Sequence, residues 1–386
     1  MTLHSRRSAL GLLGATGALL AMAGPGVAQT GSDLRPGGRL DRFVADRAAA
    51  DQFSGTILVA HRNRPVLTSS HGMADRSRGI ANDQNTAIDL ASMTKSFTAV
   101  ALTQLVQRGE VALHAPLGDY LDGFPADVAR VTIHQLLTHT AGAGRPGLTN
   151  QRPPGEEEWD SETDIWLGML AYLRTLPLRF TPGSQWSYSN DGYFLLGAVT
   201  AAVAGVTYYD YVRRNVFAPA GLTHTDFYTR PQVIADRTIA HGYLSQPTGD
   251  RVDITTTPYL PYLGSPYHGA FSSAPDLLRF ATALHGEKLL NPACTHLVTS
   301  GRHPLSPTDR PVLAGQLQLY GYGHVETIAG KDRIVGHSGS GPGRSTNIDV
   351  FPDAGWVVVV LSNYDTSIRP IVELAQELVR SAVRRE

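Results

Sequence analysis

Apolar residues recur along nearly the whole chain, but their period changes from stretch to stretch. Between residues 38 and 50, Leu40, Phe43, Val44 and Ala48 fall three or four apart, which is the spacing of one helical face. Gly55-Thr56-Ile57-Leu58-Val59-Ala60 is instead a continuous run rich in β-branched residues. Pro65 to Ser69 is a second run, reached through the polar turn His61-Arg62-Asn63-Arg64. Together they predict a β-hairpin. Helical spacing returns over 92–107, where Phe97, Val100, Ala101, Leu105 and Val106 make a stripe and Gly109 ends it. Short helices are predicted over 131–138 and 164–173, then over 191–204 and 208–216, the last stopped by Pro219 and Gly221. Ser273-Ala274-Pro275-Asp276 opens another that runs through Leu284. Strands follow at 333–335, 346–351 and 356–361, and a helix over 368–383 closes the chain. Residues 143–160 are rich in Gly, Pro and acidic side chains and read as an excursion.

A chain that starts and finishes one sheet, with helices between, predicts two lobes that share a cleft. The sheet lobe is expected at about 38–90 and 290–386, and the helical lobe at about 91–289. Composition agrees with a large buried core, since 42% of the 386 residues are hydrophobic and 17% charged. The formal net charge of −1 argues against nucleic acid or an anionic membrane as partner. A single cysteine, Cys294, excludes an internal disulfide framework and a cysteine zinc cluster. Lysine occurs only at Lys95, Lys288 and Lys331, so a motif that demands lysine is hard to meet by accident.

The first residues read as an address. Arg6-Arg7 precedes an apolar stretch of small residues and leucines from Ala9 to Ala23, and Gly26-Val27-Ala28 supplies small residues for a peptidase. This is the pattern of a twin-arginine-type export signal over 1–28, although Ala9 sits where a bulky apolar residue is usual. The stretch is short for a membrane span, so no anchor is expected and the mature protein is expected in the periplasm or outside the cell.

Three short motifs carry chemistry. Ser92-Met93-Thr94-Lys95 opens the 92–107 helix, and residues three apart share a helical face, so Ser92 Oγ and Lys95 Nζ can meet. A serine hydroxyl is a weak nucleophile until a base takes its proton. Lysine becomes such a base when burial lowers its pKa, and the helix N-terminus offers N–H groups to an oxyanion. Taken alone, the same four residues also fit an ordinary helix start with a solvated lysine. Tyr188-Ser189-Asn190 follows the turn Pro182-Gly183 and places a phenol and an amide on one side of a loop. The phenol is a candidate proton relay, and the amide can bind a substrate amide through both donor and acceptor. A packed tyrosine beside a turn is the plainer alternative. His337-Ser338-Gly339 with Ser340 ends an apolar strand run, where glycine lets a substrate backbone approach and an edge strand can pair with an extended acyl group. A glycine-rich strand end is the plainer reading there.

In this order, Ser-x-x-Lys, Tyr-x-Asn and a His-Ser-Gly version of the Lys-Thr-Gly box resemble the serine β-lactamase and penicillin-binding protein superfamily. The branch is that of class C β-lactamases, DD-peptidases and related esterases and D-amino-acid amidohydrolases. Thr132-Ile133-His134-Gln135-Leu136-Leu137-Thr138-His139-Thr140-Ala141-Gly142, Phe271-Ser272-Ser273-Ala274-Pro275-Asp276-Leu277 and Asn347-Ile348-Asp349-Val350-Phe351-Pro352 add to the likeness, which spans about residues 38–384. The resemblance implies an α/β (α+β) fold in which terminal helices flank an antiparallel sheet, an all-helical lobe is inserted, and the active site lies in the cleft between. It implies Ser92 as the acylated nucleophile, with Lys95 and Tyr188 sharing the proton work and Tyr188 activating the deacylating water. It also implies Asn190, His337, Gly339 and Ser340 as substrate-binding residues, with the N–H groups of Ser92 and Ser340 as an oxyanion hole. His337 departs from the usual lysine, and a largely neutral imidazole is a poorer anchor for a carboxylate. Arg344 is a candidate to replace that charge, with a solvated arginine as the alternative. The 156–170 stretch contains no Glu-x-x-Leu-Asn of the class A type.

Rival chemistries fit less well. Gly336-His337-Ser338-Gly339-Ser340 imitates a nucleophile elbow, but serine takes the place of its final glycine. His134, His139 and His268 lack metal-ligand spacing and read as core or surface residues. The expectation is an exported serine hydrolase that acts through an acyl-enzyme on small esters or amides, such as D-amino-acid peptides, with weak β-lactam hydrolysis. It needs no metal or organic cofactor, and its partner is a small-molecule or peptide substrate. The alternative is a penicillin-recognising binding or sensor protein that acylates without turnover. Segments 143–165 and 245–268 are placed to wall the cleft and set the substrate.

Overall fold

The computed structural model describes residues 33–145, 153–306 and 315–385. The expected leader over 1–28 lies outside them. Three layers follow from how the strands divide their side chains. Strand β1 (Gly55–His61) sends Ile57 and Val59 to one face and Leu58 and Ala60 to the other, and all four are buried. Strand β8 (Trp356–Ser362) does the same, with Val358 and Val360 on one side and Val357, Val359 and Leu361 on the other. A strand covered on both faces has no use for alternation, which is why these runs are apolar throughout. One face packs on the terminal helices α1 (Arg39–Ala49) and α7 (Arg369–Val383), through Leu40, Val44, Ile371, Ala375 and Val379. The other face packs on the helical lobe.

The sheet contains eight strands, all paired antiparallel: β2 (Arg64–His71), β1, β8, β7 (Arg344–Phe351), β6 (Asp332–Gly341), β5 (Val325–Ala329), β4 (Gln316–Tyr320) and β3 (His303–Pro304), in that spatial order. In the helical lobe, α2 (Thr94–Gln107) is central. Every residue from Thr94 to Leu105 is buried, so the predicted stripe is in fact a helix enclosed all round. The rings of Phe217 and Phe280 meet Phe97 edge-on at 5.0 and 4.8 Å, and α4 (Asn190–Ala204) packs alongside. Ser189 caps α4 by accepting the Gly192 N–H at 3.0 Å. Among the described residues no single helix is long and apolar enough to cross a membrane.

Four departures from the predicted elements have identifiable reasons. Strands β3, β4 and β5 were not expected, because they are short and mix polar and apolar residues on a half-exposed edge. Strand β6 is ten residues long rather than three, so His337-Ser338-Gly339 lies inside it and not beyond its end. The inserted lobe is not purely helical: Ile88–Asp89 pairs with Phe271–Ser272, and Tyr243–Ser245 with Arg251–Asp253. A helix, α6 (Pro292–Thr299), precedes the returning strands, with Asn291 as its cap.

Two features of the sheet position the cleft. Strand β5 accompanies β6 only as far as Gly336, which pairs with Val325, so Gly339, Ser340 and Gly341 run past the outer strands. On its other side β6 pairs with β7, Gly339 opposite Thr346. At the start of β7, Arg344 forms a buried ion pair with Asp89 at 3.2 Å. This ties the sheet to the turn that precedes α2. Arg344 is therefore neither solvated nor a spare charge for the cleft.

Arg344→Met leaves the Asp89 carboxylate buried without its partner and is expected to cost about 3 kcal/mol of unfolding free energy. Adding Asp89→Asn is expected to recover at least half of that loss. Urea unfolding of the two single variants and the double variant measures the coupling; a single-variant loss below about 1 kcal/mol would show that the pair braces nothing.

Candidate active site

Ser92 lies in the 3₁₀ turn Ala91–Met93 that leads into α2. Ala91, just before it, has φ +47°, a left-handed conformation that alanine adopts only under constraint. The constraint comes from several sides. Asp89 Oδ1 accepts the Ala91 N–H at 2.8 Å, Thr94 Oγ1 donates to the Ala91 carbonyl at 2.7 Å, and Thr346 Oγ1 on β7 donates to the Leu90 carbonyl at 2.9 Å. Strand β6 presses on the same turn: a Cβ on Gly339 would lie 2.1 Å from the Leu90 carbonyl oxygen. Gly339 is thus explained by the approach of β6 to the Ser92 turn, rather than by the approach of a substrate backbone.

Lys95, one turn on, is completely enclosed. Its Nζ is 3.2 Å from Ser92 Oγ and donates to Asn190 Oδ1 at 2.8 Å and to the Tyr267 carbonyl at 2.9 Å. The rings of Tyr188, Tyr267 and Tyr193 stand 4.7, 5.6 and 5.7 Å from Nζ and close it off from water. This desolvation holds the amine well below the usual lysine range. The donor and acceptor arithmetic of the neutral amine fits its three neighbours. Its two N–H groups go to an amide and a peptide oxygen, which can only accept. Its lone pair is left facing the Ser92 hydroxyl, the one neighbour that can donate.

Tyr188 precedes the extended Ser189 cap, and its ring packs beside Trp186, Tyr320, Leu305 and Val325. Asn190 is the first residue of α4. Its oxygen is used by Lys95, so only its Nδ2 end, and not both ends as expected, is left for a further partner. His337 is buried. Its Nδ1 lies 2.6 Å from the Ser338 carbonyl, and its Nε2 lies 3.2 Å from the Tyr320 hydroxyl. A proton on Nδ1 donated to that carbonyl, with Nε2 accepting from the phenol, satisfies a neutral ring completely. Ser340 is exposed near the outer end of β6.

Of the other histidines, His134 Nδ1 meets the Tyr322 hydroxyl at 2.7 Å, His268 stacks edge-on against Tyr267, and His139 lies under Tyr188. No group of three His, Cys, Asp or Glu among the described residues is placed to hold a metal ion. Sequence reasoning missed Tyr320, which falls in an unexpected strand, and the Tyr267 carbonyl, a backbone group with no side-chain signature. A cavity of about 470 Å³ opens beside Tyr267 and His268. Trp159, Ile165 and Met169 line it from one segment, and Thr255 and Tyr262 from the other. Parts of both expected cleft walls therefore meet in one space.

Comparison with known proteins places this geometry. The sequence profile of the Beta-lactamase family matches residues 40–380. The chain belongs to the Beta-lactamase family. Penicillin-binding protein 4* of Bacillus subtilis is 30% identical over 344 residues, 86% of this chain and 72% of that protein. Esterase EstB of Burkholderia gladioli is 33% identical over 207 residues, 49% of this chain and 51% of that one. The crystal structure of a penicillin-binding protein from Bacillus halodurans superposes with a TM-score of 0.74 at 28% identity, covering 86% of this chain and 98% of that one. The fold is the β-lactamase-like one that the motifs implied, and the protein is a serine hydrolase of this superfamily. In this family member the Ser-x-x-Lys and Tyr-x-Asn motifs meet at a single nitrogen, Lys95 Nζ.

Lys95→Met keeps the side-chain volume and removes the amine. Acylation of Ser92 by a fluorophosphonate is expected to slow by about 10³-fold or more. The melting temperature is expected to hold or rise, because a desolvated amine no longer has to be buried. Stopped-flow labelling and differential scanning calorimetry test the two halves.

Proposed function

We propose that the protein is an acyl-enzyme hydrolase of small esters or amides, D-amino-acid peptides among them, with β-lactam hydrolysis as a weak side activity. The observation that carries this reading is the enclosed Lys95 amine, hydrogen-bonded to two acceptors that cannot donate and facing the Ser92 hydroxyl. Ser92 Oγ attacks the substrate carbonyl carbon as its proton passes to Lys95 Nζ. The tetrahedral oxyanion sits against the backbone N–H groups of Ser92 and Ser340, which β6 brings together by its contact with the Leu90–Ala91 turn. Collapse breaks the bond to the leaving alcohol or amine, which takes the proton and departs. The Tyr188 phenol, beside Lys95, then assists removal of a proton from water as it attacks the acyl carbon. Ser92 regains its proton and the free acid leaves. Asn190 Nδ2 donates to the acyl-side amide carbonyl, and the Tyr267 cavity receives the acyl group.

His337 narrows the leaving-group side. Both its nitrogens are used within the protein, by the Ser338 carbonyl and the Tyr320 hydroxyl. Arg344 is spent on Asp89. Neither offers a cation to a free carboxylate, which favours leaving groups that end in neutral atoms. The relatives include both a penicillin-binding protein and an esterase, and a turning-over enzyme accounts for the retention of Ser92, Lys95, Tyr188 and Asn190 better than a receptor that only acylates. Export by the Arg6-Arg7 leader is part of the same proposal.

Intact-mass detection of a penicillin or fluorophosphonate adduct on the wild type, and none on Ser92→Ala, is the expected result; an adduct that survives the substitution moves the nucleophile elsewhere. Multiple turnovers on a p-nitrophenyl ester exclude the receptor. A D-alanyl-D-alanine peptide and its C-terminal amide are expected to differ by no more than about threefold in kcat/KM, since only an ion pair gives a free carboxylate a large advantage. A tenfold preference for the carboxylate would show that a cation reaches the leaving group.

A further inference from the structure

Tyr188 sits just outside a helix, before the extended Ser189 cap, and such a segment needs external partners to hold a ring in place. Those partners come from residues 139–142. The Arg179 N–H donates to the Gly142 carbonyl at 2.9 Å and the Gly183 N–H to the Thr140 carbonyl at 2.8 Å. At the Tyr188 end one residue takes over. The Ser187 N–H donates to the His139 carbonyl at 2.9 Å, and the Ser189 N–H donates to His139 Nδ1 at 3.1 Å. The amides of both chain neighbours of Tyr188 are therefore held by His139. The imidazole also lies against the phenol ring, with centroids 4.4 Å apart.

We infer that His139 is the positioning residue that sets the Tyr188 phenol beside Lys95. The inference rests on the proposed role of Tyr188 but not on the identity of the substrate. Three further observations support it. His139 has φ +61°, a left-handed conformation that few side chains tolerate and that lets its carbonyl and its ring address the same segment. Its Nε2 is buried with no hydrogen-bond partner among the described residues. A phenylalanine would pack there without leaving a polar atom unsatisfied, so what the imidazole uniquely supplies is the acceptor at Nδ1. Finally, that nitrogen can accept only while the ring carries a single proton. Burial holds its pKa well below the usual histidine value. The titratable groups that face it, Lys95, Tyr188, Tyr193, Tyr320 and His337, include no carboxylate that would reverse this.

His139→Asn and His139→Gly separate the acceptor from the fold. Both residues accept a left-handed backbone and both lose the ring, but only asparagine retains a side-chain oxygen for the Ser189 N–H. Crystal structures of both variants and burst kinetics on a p-nitrophenyl ester are the measurements. In His139→Gly the Tyr188 ring is expected to shift by about 1 Å or more, with kcat down about 30-fold or more and KM within about threefold. A burst of acyl-enzyme should persist, because the hydrogen bonds that hold Lys95 beside Ser92 do not involve Tyr188. His139→Asn is expected to return kcat to within about fivefold of wild type, with Tyr188 in place. An unmoved Tyr188 in His139→Gly, or equal loss in both variants, overturns the inference. Absence of Ser92-dependent turnover in the wild type would instead overturn the proposed function, and the position of Tyr188 in the two crystal structures would still decide this one.

Discussion

A primary amine enclosed away from water is the constraint on which the rest of the site depends. A lysine at that depth favours its neutral form, because burial costs the ammonium ion its hydration. The neutral form in turn needs acceptors for its two protons, or its own N–H groups become a buried liability. Asn190 Oδ1 and the Tyr267 carbonyl fill that need, and they come from segments 95 and 172 residues away. The helical lobe has to close around Lys95 for the amine to be held neutral. A solvent-exposed Ser-x-x-Lys on an isolated helix would hold an ammonium ion and do no chemistry.

The sheet supplies the other half of the constraint. Ala91 is held in a left-handed conformation by Asp89, and Asp89 is held by Arg344 at the start of β7. Gly339 lets β6 come close enough to touch the same turn. The Ser92 turn and the Gly339–Ser340 stretch of β6 are therefore not two elements that happen to be near each other. They are parts of one contact between strand and turn, in which strain at Ala91 is balanced by hydrogen bonds from Asp89, Thr94 and Thr346.

Much of this was legible in the sequence where the signal is local. The β1 and β8 runs, the helix over 92–107 and the order of the three motifs each depend on residues close together in the chain. What the sequence hid is non-local. Strands β3, β4 and β5 form a half-exposed edge whose mixed patterning resembles loop, and so Tyr320 had no context that linked it to His337. Arg344 looked like one of many surface arginines until β7 put it opposite Asp89. Asn190 looked bidentate because nothing in a tripeptide shows that a lysine 95 residues earlier will take its oxygen. His139 read as an ordinary core histidine, and only the tertiary course of the Tyr188 segment shows what its backbone and ring receive.

The exchange of lysine for histidine at position 337 can be understood from the same charge arithmetic. A second ammonium group on β6 would stand near a first one that the site must keep neutral. That would help to depress the Lys95 pKa, and it would also draw anionic substrates into the cleft. Here burial is what lowers the Lys95 pKa. Nothing in the proton chemistry then requires a cation at 337, and an imidazole satisfied by a peptide carbonyl and a phenol can take its place. The site trades attraction for a charged leaving group against independence from one. On the proposed function, a cleft built this way would select by shape and hydrogen bonding, with the walls around Tyr267 rather than β6 setting specificity.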